Sequence, residues 1–182
     1  MKDSAIPDIL AFWFEEITPK QWFTKDPEFD ALLEDRFGKL VNDALGARLD
    51  SWAQTSDGCL ALILLLDQMT RNIHRDTPLA FAGDEMALAH ALRGVDKGYL
   101  VPEVSAKNTF LLMPLMHSED IEIHKLAVPL FASHTNEMNQ DYLQRHTDII
   151  ERFGHYPHRN AILGRPSTEE ETQFLTQPGS RF

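Results

Sequence analysis

Cysteine is nearly absent from the sequence: Cys59 stands alone among 182 residues. An intrachain disulfide and a cysteine-based zinc site are therefore excluded. Cys59 lies in an apolar run, where a small buried hydrophobe is the expected role rather than a nucleophile. Long hydrophobic runs are also missing. The longest, Cys59 to Leu66, falls far short of the roughly 20 residues a membrane-spanning helix needs. Met1-Lys2-Asp3-Ser4, followed by Ile9 to Phe14 and then Glu15-Glu16, is too short and too acidic for a secretory signal. A cytoplasmic protein with no membrane partner is expected.

Positive charge is the minority sign. Against 28 acidic residues there are 17 basic ones, a net charge of -11. That excludes broad, nonspecific attraction to nucleic acid or to an anionic membrane, but leaves room for a local basic pocket. Trp13, Trp22, Phe23 and Trp52 then read as core or rim residues, not as a base-stacking platform. Motifs of known chemistry are missing too. There is no glycine-rich phosphate loop, no GxSxG, no dinucleotide fingerprint and no kinase set. The eight histidines include no HExxH and no pair spaced as i and i+4 on a helix. His155 and His158 flank Pro157 in a loop, while His90, His124 and His134 read as surface or packing residues. No metal and no cofactor are expected.

Strand alternation is absent, and helical spacing dominates. Ile9, Leu10, Trp13, Phe14 and Ile17 form one apolar face, with a break at Thr18-Pro19. Asp26-Pro27 reads as an N-cap followed by an N1 proline, opening a helix that closes near Gly46. Ser56 or Asp57 is expected to cap the next helix, apolar on all sides at its start, as a central buried helix would be. Thr77-Pro78 repeats the capping signature before an alanine-rich helix over Met86 to Leu92. Pro114 is expected to break or bend the apolar segment Phe110 to Met116. Ser118 is expected to cap a helix over Ile121 to Ser133. Glu137 to Phe153 follows, with Gly154 as its C-cap. Ser167-Thr168-Glu169-Glu170 reads as a capping box. The sum is an all-α chain of about eight helices, several in antiparallel pairs with short loops. Residues 1-182 are expected to form a single helical domain, with a tail from about 177 that frays.

Two polar clusters stand out. Asp67, Arg71 and His74 are spaced by four and three, which makes one helical stripe, with Gln68 and Asn72 beside it. Asp67 can orient the Arg71 guanidinium, a fork suited to a carboxylate or phosphate. The bland alternative is a structural ion pair tying the central helix to its neighbours. The second cluster is Arg152-Phe153-Gly154-His155-Tyr156-Pro157-His158-Arg159-Asn160, ending in Leu163-Gly164-Arg165. His158 and Arg159 are candidates for an anion-binding wall, and Asn160 for a structural cap beside them. Between the clusters, His117-Ser118-Glu119-Asp120 marks a helix start. His117 is a candidate general base, with Glu119 or Asp67 as its orienting carboxylate.

The chain resembles the bacterial domain-of-unknown-function family 924. The resemblance is carried by Phe12-Trp13-Phe14, Trp22-Phe23, Leu65-Leu66-Asp67-Gln68 with Arg71-Asn72, and Ala80-Phe81-Ala82. It continues through Met116-His117-Ser118-Glu119 and Phe153-Gly154, then Pro157-His158-Arg159-Asn160 and Leu163-Gly164-Arg165. The resemblance implies an all-helical fold similar to tetratricopeptide-repeat superhelices and implies no activity. The family usually reads Asp-Gln-Phe-Pro-Arg-Asn where this chain has Asp67-Gln68-Met69-Thr70-Arg71-Asn72. Without the proline, the helix is expected to continue through Arg71.

Three functions fit these residues. The first is binding of a small anionic ligand, or of a partner's acidic segment, by Asp67, Gln68, Arg71, Asn72, His158, Arg159 and Asn160. The second is a hydrolase or lyase acting on a small anionic substrate, with His117 as base and Glu119 among its catalytic residues. The third is structural, the clusters being buried networks that tie helix ends together. Homo-oligomerisation stays open.

Overall fold

The computed structural model describes residues 5–181. Met1 to Ser4, weighed above as a signal segment, and Phe182 lie outside the described residues. Among the described residues the secondary structure is all helical, with no strand.

Helix α1, Ala5–Ala11, runs directly into a π-helical turn, Phe12–Glu16. The Ile17 N–H reaches back five residues to the Phe12 carbonyl at 3.2 Å. The turn widens there, and the Trp22 indole N–H bonds the Trp13 carbonyl at 2.9 Å. Helix α2, Pro27–Leu45, starts as its sequence dictates: the Asp26 carboxylate accepts the Glu28 and Phe29 N–H groups at 2.9 and 3.4 Å. Its buried face is Phe29, Leu33, Phe37, Val41 and Ala44, which recur at helical spacing.

The central rod is α3, Ser56–Ile63, continuing without a break into a π-helical turn, Leu64–Met69, and then α4, Thr70–Ile73. Thr55, not Ser56 or Asp57, is the cap, because its hydroxyl is the one that reaches the Gly58 N–H, at 3.1 Å. Residues 58–70 are buried without exception. The rod packs against α1 and against α5, Asp84–Asp96, and α6, Ala106–His117, while α2 covers its π turn. The expected continuation through Arg71 is present, but it passes through the π turn. The Thr70 N–H bonds the Leu65 carbonyl five residues back, and the Thr70 hydroxyl donates to the same oxygen at 2.7 Å.

Several helix boundaries differ from the sequence expectation for local reasons. Thr77-Pro78 opens only a short 3-10 turn, Pro78–Phe81, and α5 starts separately at Asp84. Pro114 does not break α6, which runs on to His117. Asp120, rather than Ser118, caps α7, Ile121–His134, by accepting the Glu122 N–H at 2.9 Å. The Ser118 hydroxyl instead accepts the Asp120 N–H at 3.1 Å. Helix α8 spans Glu137–Phe153 and ends on Gly154 at φ 73°, the left-handed C-cap that glycine adopts without steric cost. A 3-10 turn, Pro157–Arg159, leads into α9, Asn160–Leu163. The last capping box joins Thr168 to Glu171, opening α10, Glu169–Phe174. Beyond it, Ser180 is buried and its N–H lies 3.4 Å from the Gln177 carbonyl. The short loops make α6, α7 and α8 pack in succession. Among the described residues, no helix is long and apolar enough to cross a membrane.

Candidate functional site

Six chain segments meet at the C-terminal end of the central rod. The π turn supplies Asp67, and α4 supplies Arg71. The Pro78–Phe81 turn supplies Phe81, and the first residue of α5 is Asp84. His117 is the last residue of α6, and Arg159 closes the turn that follows α8. None of these sits mid-helix on a solvent face; each is placed by a helix end or by the π turn.

Asp67 is the hub, with a fully buried side chain. One carboxylate oxygen lies 2.7 Å from His117 Nδ1 and 3.3 Å from Arg71 Nη1. The other accepts from Gln68 Nε2 at 2.5 Å. Burial alone would push this carboxyl up. The fields of His117 and Arg71, with hydrogen bonds from His117 and Gln68, outweigh burial and hold it well below the usual carboxylate range. An ionised carboxylate only accepts, so His117 Nδ1 carries a proton, and in the neutral ring the lone pair is the one on Nε2. Among the described residues, Nε2 has no hydrogen-bond partner.

Arg71 grips Asp84 with two parallel bonds, at 2.7 and 3.0 Å, and gives a third to the Asp67 carbonyl at 3.1 Å. Burial opposes its charge, but Asp67 and Asp84 raise its pKa above the ordinary guanidinium value. Arg159 gives one bond to Asp84 at 3.1 Å and one to the His117 carbonyl at 3.0 Å. Its guanidinium lies 4.7 Å from the Phe81 ring centre and 4.6 Å from that of Tyr156, a cation–π contact on each ring. Burial and the neighbouring Arg71 charge lower the Arg159 pKa. Its buried Nε has no hydrogen-bond partner.

Asp84, at the start of α5, reaches the arginines because Gly83 lets the helix approach closely. A Cβ on Gly83 would sit 2.2 Å from the Leu66 carbonyl oxygen in the π turn. The two arginines are thus answered by two carboxylates, Asp67 and Asp84. The cluster is closely packed, open at the side-chain edges of Arg71, Asp84 and His117, which are 21%, 19% and 15% exposed. Two shallow hollows, of about 100 and 200 Å³, lie elsewhere, one beside Tyr99 and Asn108 and the other between α7 and α8.

Imidazoles line the other flank. The His117 and His146 rings are 6.3 Å apart, and His146 and His158 each lie 5.6 Å from the Tyr156 ring. Burial, reinforced by His117 for His146 and by Arg159 and Arg71 for His158, pushes both imidazoles down to about 3. They are neutral at physiological pH. The Tyr156 hydroxyl donates to the Met116 carbonyl at 2.5 Å, and burial pushes its pKa up, so it too stays protonated.

Of the carboxylates offered for His117, Asp67 takes the orienting position. Glu119 is held elsewhere: Arg165 grips it at 2.7 and 3.0 Å, and the Tyr156 N–H bonds it at 2.8 Å. Burial alone would raise its pKa, but Arg165 and that N–H hold it lower than usual. Glu119 thus ties the Tyr156 segment down but does not touch His117. Gln68 also donates to Met113 Sδ at 3.2 Å, and Asn72 bridges the Gln68 carbonyl and Arg75, both backing the rod. Asn160 is buried with its amide on the Ser167 hydroxyl at 3.2 Å, and its Oδ1 has no partner. His74, expected on the Asp67 stripe, lies one residue past α4, so the helical step no longer applies. Asp84, Phe81 and Tyr156 were not among the sequence candidates. Asp84 reads locally as an acid complementing a helix dipole, and nothing near it in sequence announces Arg71. Among the described residues, no group of three or more His, Cys, Asp or Glu is arranged to hold a metal ion.

Fold and cluster together define an all-α protein with a histidine–arginine–carboxylate network at the end of a buried helix. The chain belongs to the family described as bacterial protein of unknown function DUF924, whose sequence profile matches residues 9–179. A solved structure of a protein of unknown function from Agrobacterium tumefaciens is similar. It is 35% identical, the match covers 96% of this chain and 98% of that one, and the TM-score is 0.90. No curated protein matches the chain.

Proposed function

We propose that the chain binds a small anionic ligand at the open edge of this cluster. The observation that carries the reading is convergence: Arg71, Arg159 and His117, distant in sequence, share Asp67 and Asp84, and His117 Nε2 is left uncommitted. Two guanidinium groups give the ligand planar, multidentate donors. The narrow exposed edge favours a small ion over an acidic peptide segment.

The 2.7 Å contact between Asp67 and His117 favours a second reading, in which His117 acts as general base on the bound anion. A buried carboxylate fixing the imidazole tautomer is the arrangement a histidine base requires. A hydrolase or lyase is then the class of activity.

Thermal unfolding in phosphate, sulfate, acetate and citrate, matched to chloride at constant ionic strength, tests the binding reading. A ligand at a hundred times its Kd adds about 2.7 kcal/mol to stability, or roughly 5–11 °C in Tm for a chain of this size. One of these anions should stabilise the wild type, and Arg159→Gln should remove that gain. Equal melting in every anion sinks the reading and leaves the cluster as a tie between helix ends, as the pairing of both arginines with Asp84 would then suggest.

A further inference from the structure

We propose that His117 Nε2 is a phosphoryl acceptor, taking the phosphoryl group of an acyl phosphate or related phosphate compound between Arg71 and Arg159. The proposal rests on the anion-site reading and goes further, naming the ligand class and the reacting atom.

Asp84 sets the class of anion. That carboxylate already holds Arg71 through two bonds and Arg159 through a third. It is part of the chain, so its effective concentration at the arginines is high. A free monocarboxylate brings the same charge and the same donor-matching geometry, and gains nothing by competing. A phosphoryl group brings close to two charges and three acceptor oxygens, so it can engage donors that Asp84 leaves unused. Arg159 Nε is buried with no hydrogen-bond partner, and its side chain is only 8% exposed. Arg159 is rigidly set by the two aromatic rings beside it and by the His117 carbonyl, so its position relative to His117 is fixed.

Elimination among the nucleophiles points to the atom. No hydroxyl or thiol among the described residues is hydrogen-bonded to His117, so there is no side chain for it to activate. Cys59 is bonded to the His90 carbonyl, 3.5 Å away, in the core. The Tyr156 hydroxyl is committed to the Met116 carbonyl. In the neutral ring the lone pair is on Nε2, and Asp67 fixes that ring through Nδ1. The buried His146 and His158 stay neutral and add no positive charge that would compete with the arginines for the phosphoryl oxygens.

With acetyl phosphate, the Nε2 lone pair forms the N–P bond. The P–O bond to the acyl oxygen breaks, and its electron pair departs on acetate, which needs no proton. The Nδ1 proton stays between the ring and Asp67, whose charge offsets the positive charge gained by the phosphorylated imidazole. Water then attacks phosphorus, the N–P electron pair returns to Nε2, and dihydrogen phosphate leaves.

The full chain incubated with acetyl phosphate, followed by intact-mass spectrometry at alkaline pH, reads the step directly. One phosphoryl adduct is expected, stable in alkali, lost in acid, and located on His117 by peptide fragmentation of the wild type. His117→Asn, which keeps an amide beside Asp67, should lose it, and His134→Ala should retain it. Binding of inorganic phosphate by calorimetry runs alongside. Phosphate binding with no adduct, or an adduct on another residue, overturns the phosphoryl-acceptor proposal while the anion site stands. Neither binding nor adduct removes both.

Discussion

Replacing Asp67 by Asn tests the hub of the cluster with almost no change in shape. Three donors surround the carboxylate: His117 Nδ1 at 2.7 Å, Gln68 Nε2 at 2.5 Å and Arg71 Nη1 at 3.3 Å. An amide has one oxygen to offer and turns its NH2 toward a donor, so at least one of the three contacts becomes a clash of donors. Removing one partner of a buried ion pair costs about 3–5 kcal/mol. Arg71 keeps its two hydrogen bonds to Asp84, so the low end, about 3 kcal/mol, is expected. That corresponds to roughly 6–12 °C in Tm. The folded-state pKa of Asp67 lies below its ordinary value. Its contribution is therefore fully present above the unfolded value, about 3.9, and is lost as pH falls through the folded one. The gap between wild type and Asp67→Asn in urea unfolding should shrink as pH falls below about 4. Other carboxylates with lowered pKa titrate in both proteins and cancel in the difference. A variant as stable as the wild type, or a gap that grows in acid, would refute the assignment of Asp67 as an ionised hub.

Gly83→Ala should destabilise the fold and weaken any anion effect together, because its Cβ would meet the Leu66 backbone oxygen at 2.2 Å and push Asp84 off the arginines; urea unfolding and anion-dependent melting check both. Thr70→Pro should cost at least the roughly 3 kcal/mol of a mid-helix proline, since it removes both the N–H and the hydroxyl that bond the buried Leu65 carbonyl; a variant as stable as the wild type in urea unfolding would contradict this. Tyr156→Phe should cost about 1 kcal/mol, because it strands the Met116 carbonyl in the core, and chemical denaturation reads that directly.

The helices were largely legible in the chain. Asp26-Pro27, Glu137 to Phe153 and Gly154 carry cap chemistry that acts over a few residues, so sequence and structure agree there. The π turns were not legible, because α and π turns use the same residues and differ only in which carbonyl is reached. That is why the missing proline predicted continuation but not the register shift beneath it. Of the site, the candidates Asp67, Arg71, His117, His158 and Arg159 do come together. The ranking of their partners was hidden. Glu119 is two residues from His117 in sequence, yet Arg165, distant in the chain, claims it. Asp84 carries no local mark at all, since its role arises only when α5 lands on the π turn.

The most direct test of the anion site follows the imidazole nitrogen of His117 by NMR while inorganic phosphate is added, the resonance being assigned by its loss in His117→Asn. A saturable change at His117 Nε2 is expected, with Nδ1 remaining protonated and His134 unmoved. An unchanged His117 signal up to high phosphate, or equal drift of every histidine, would contradict it.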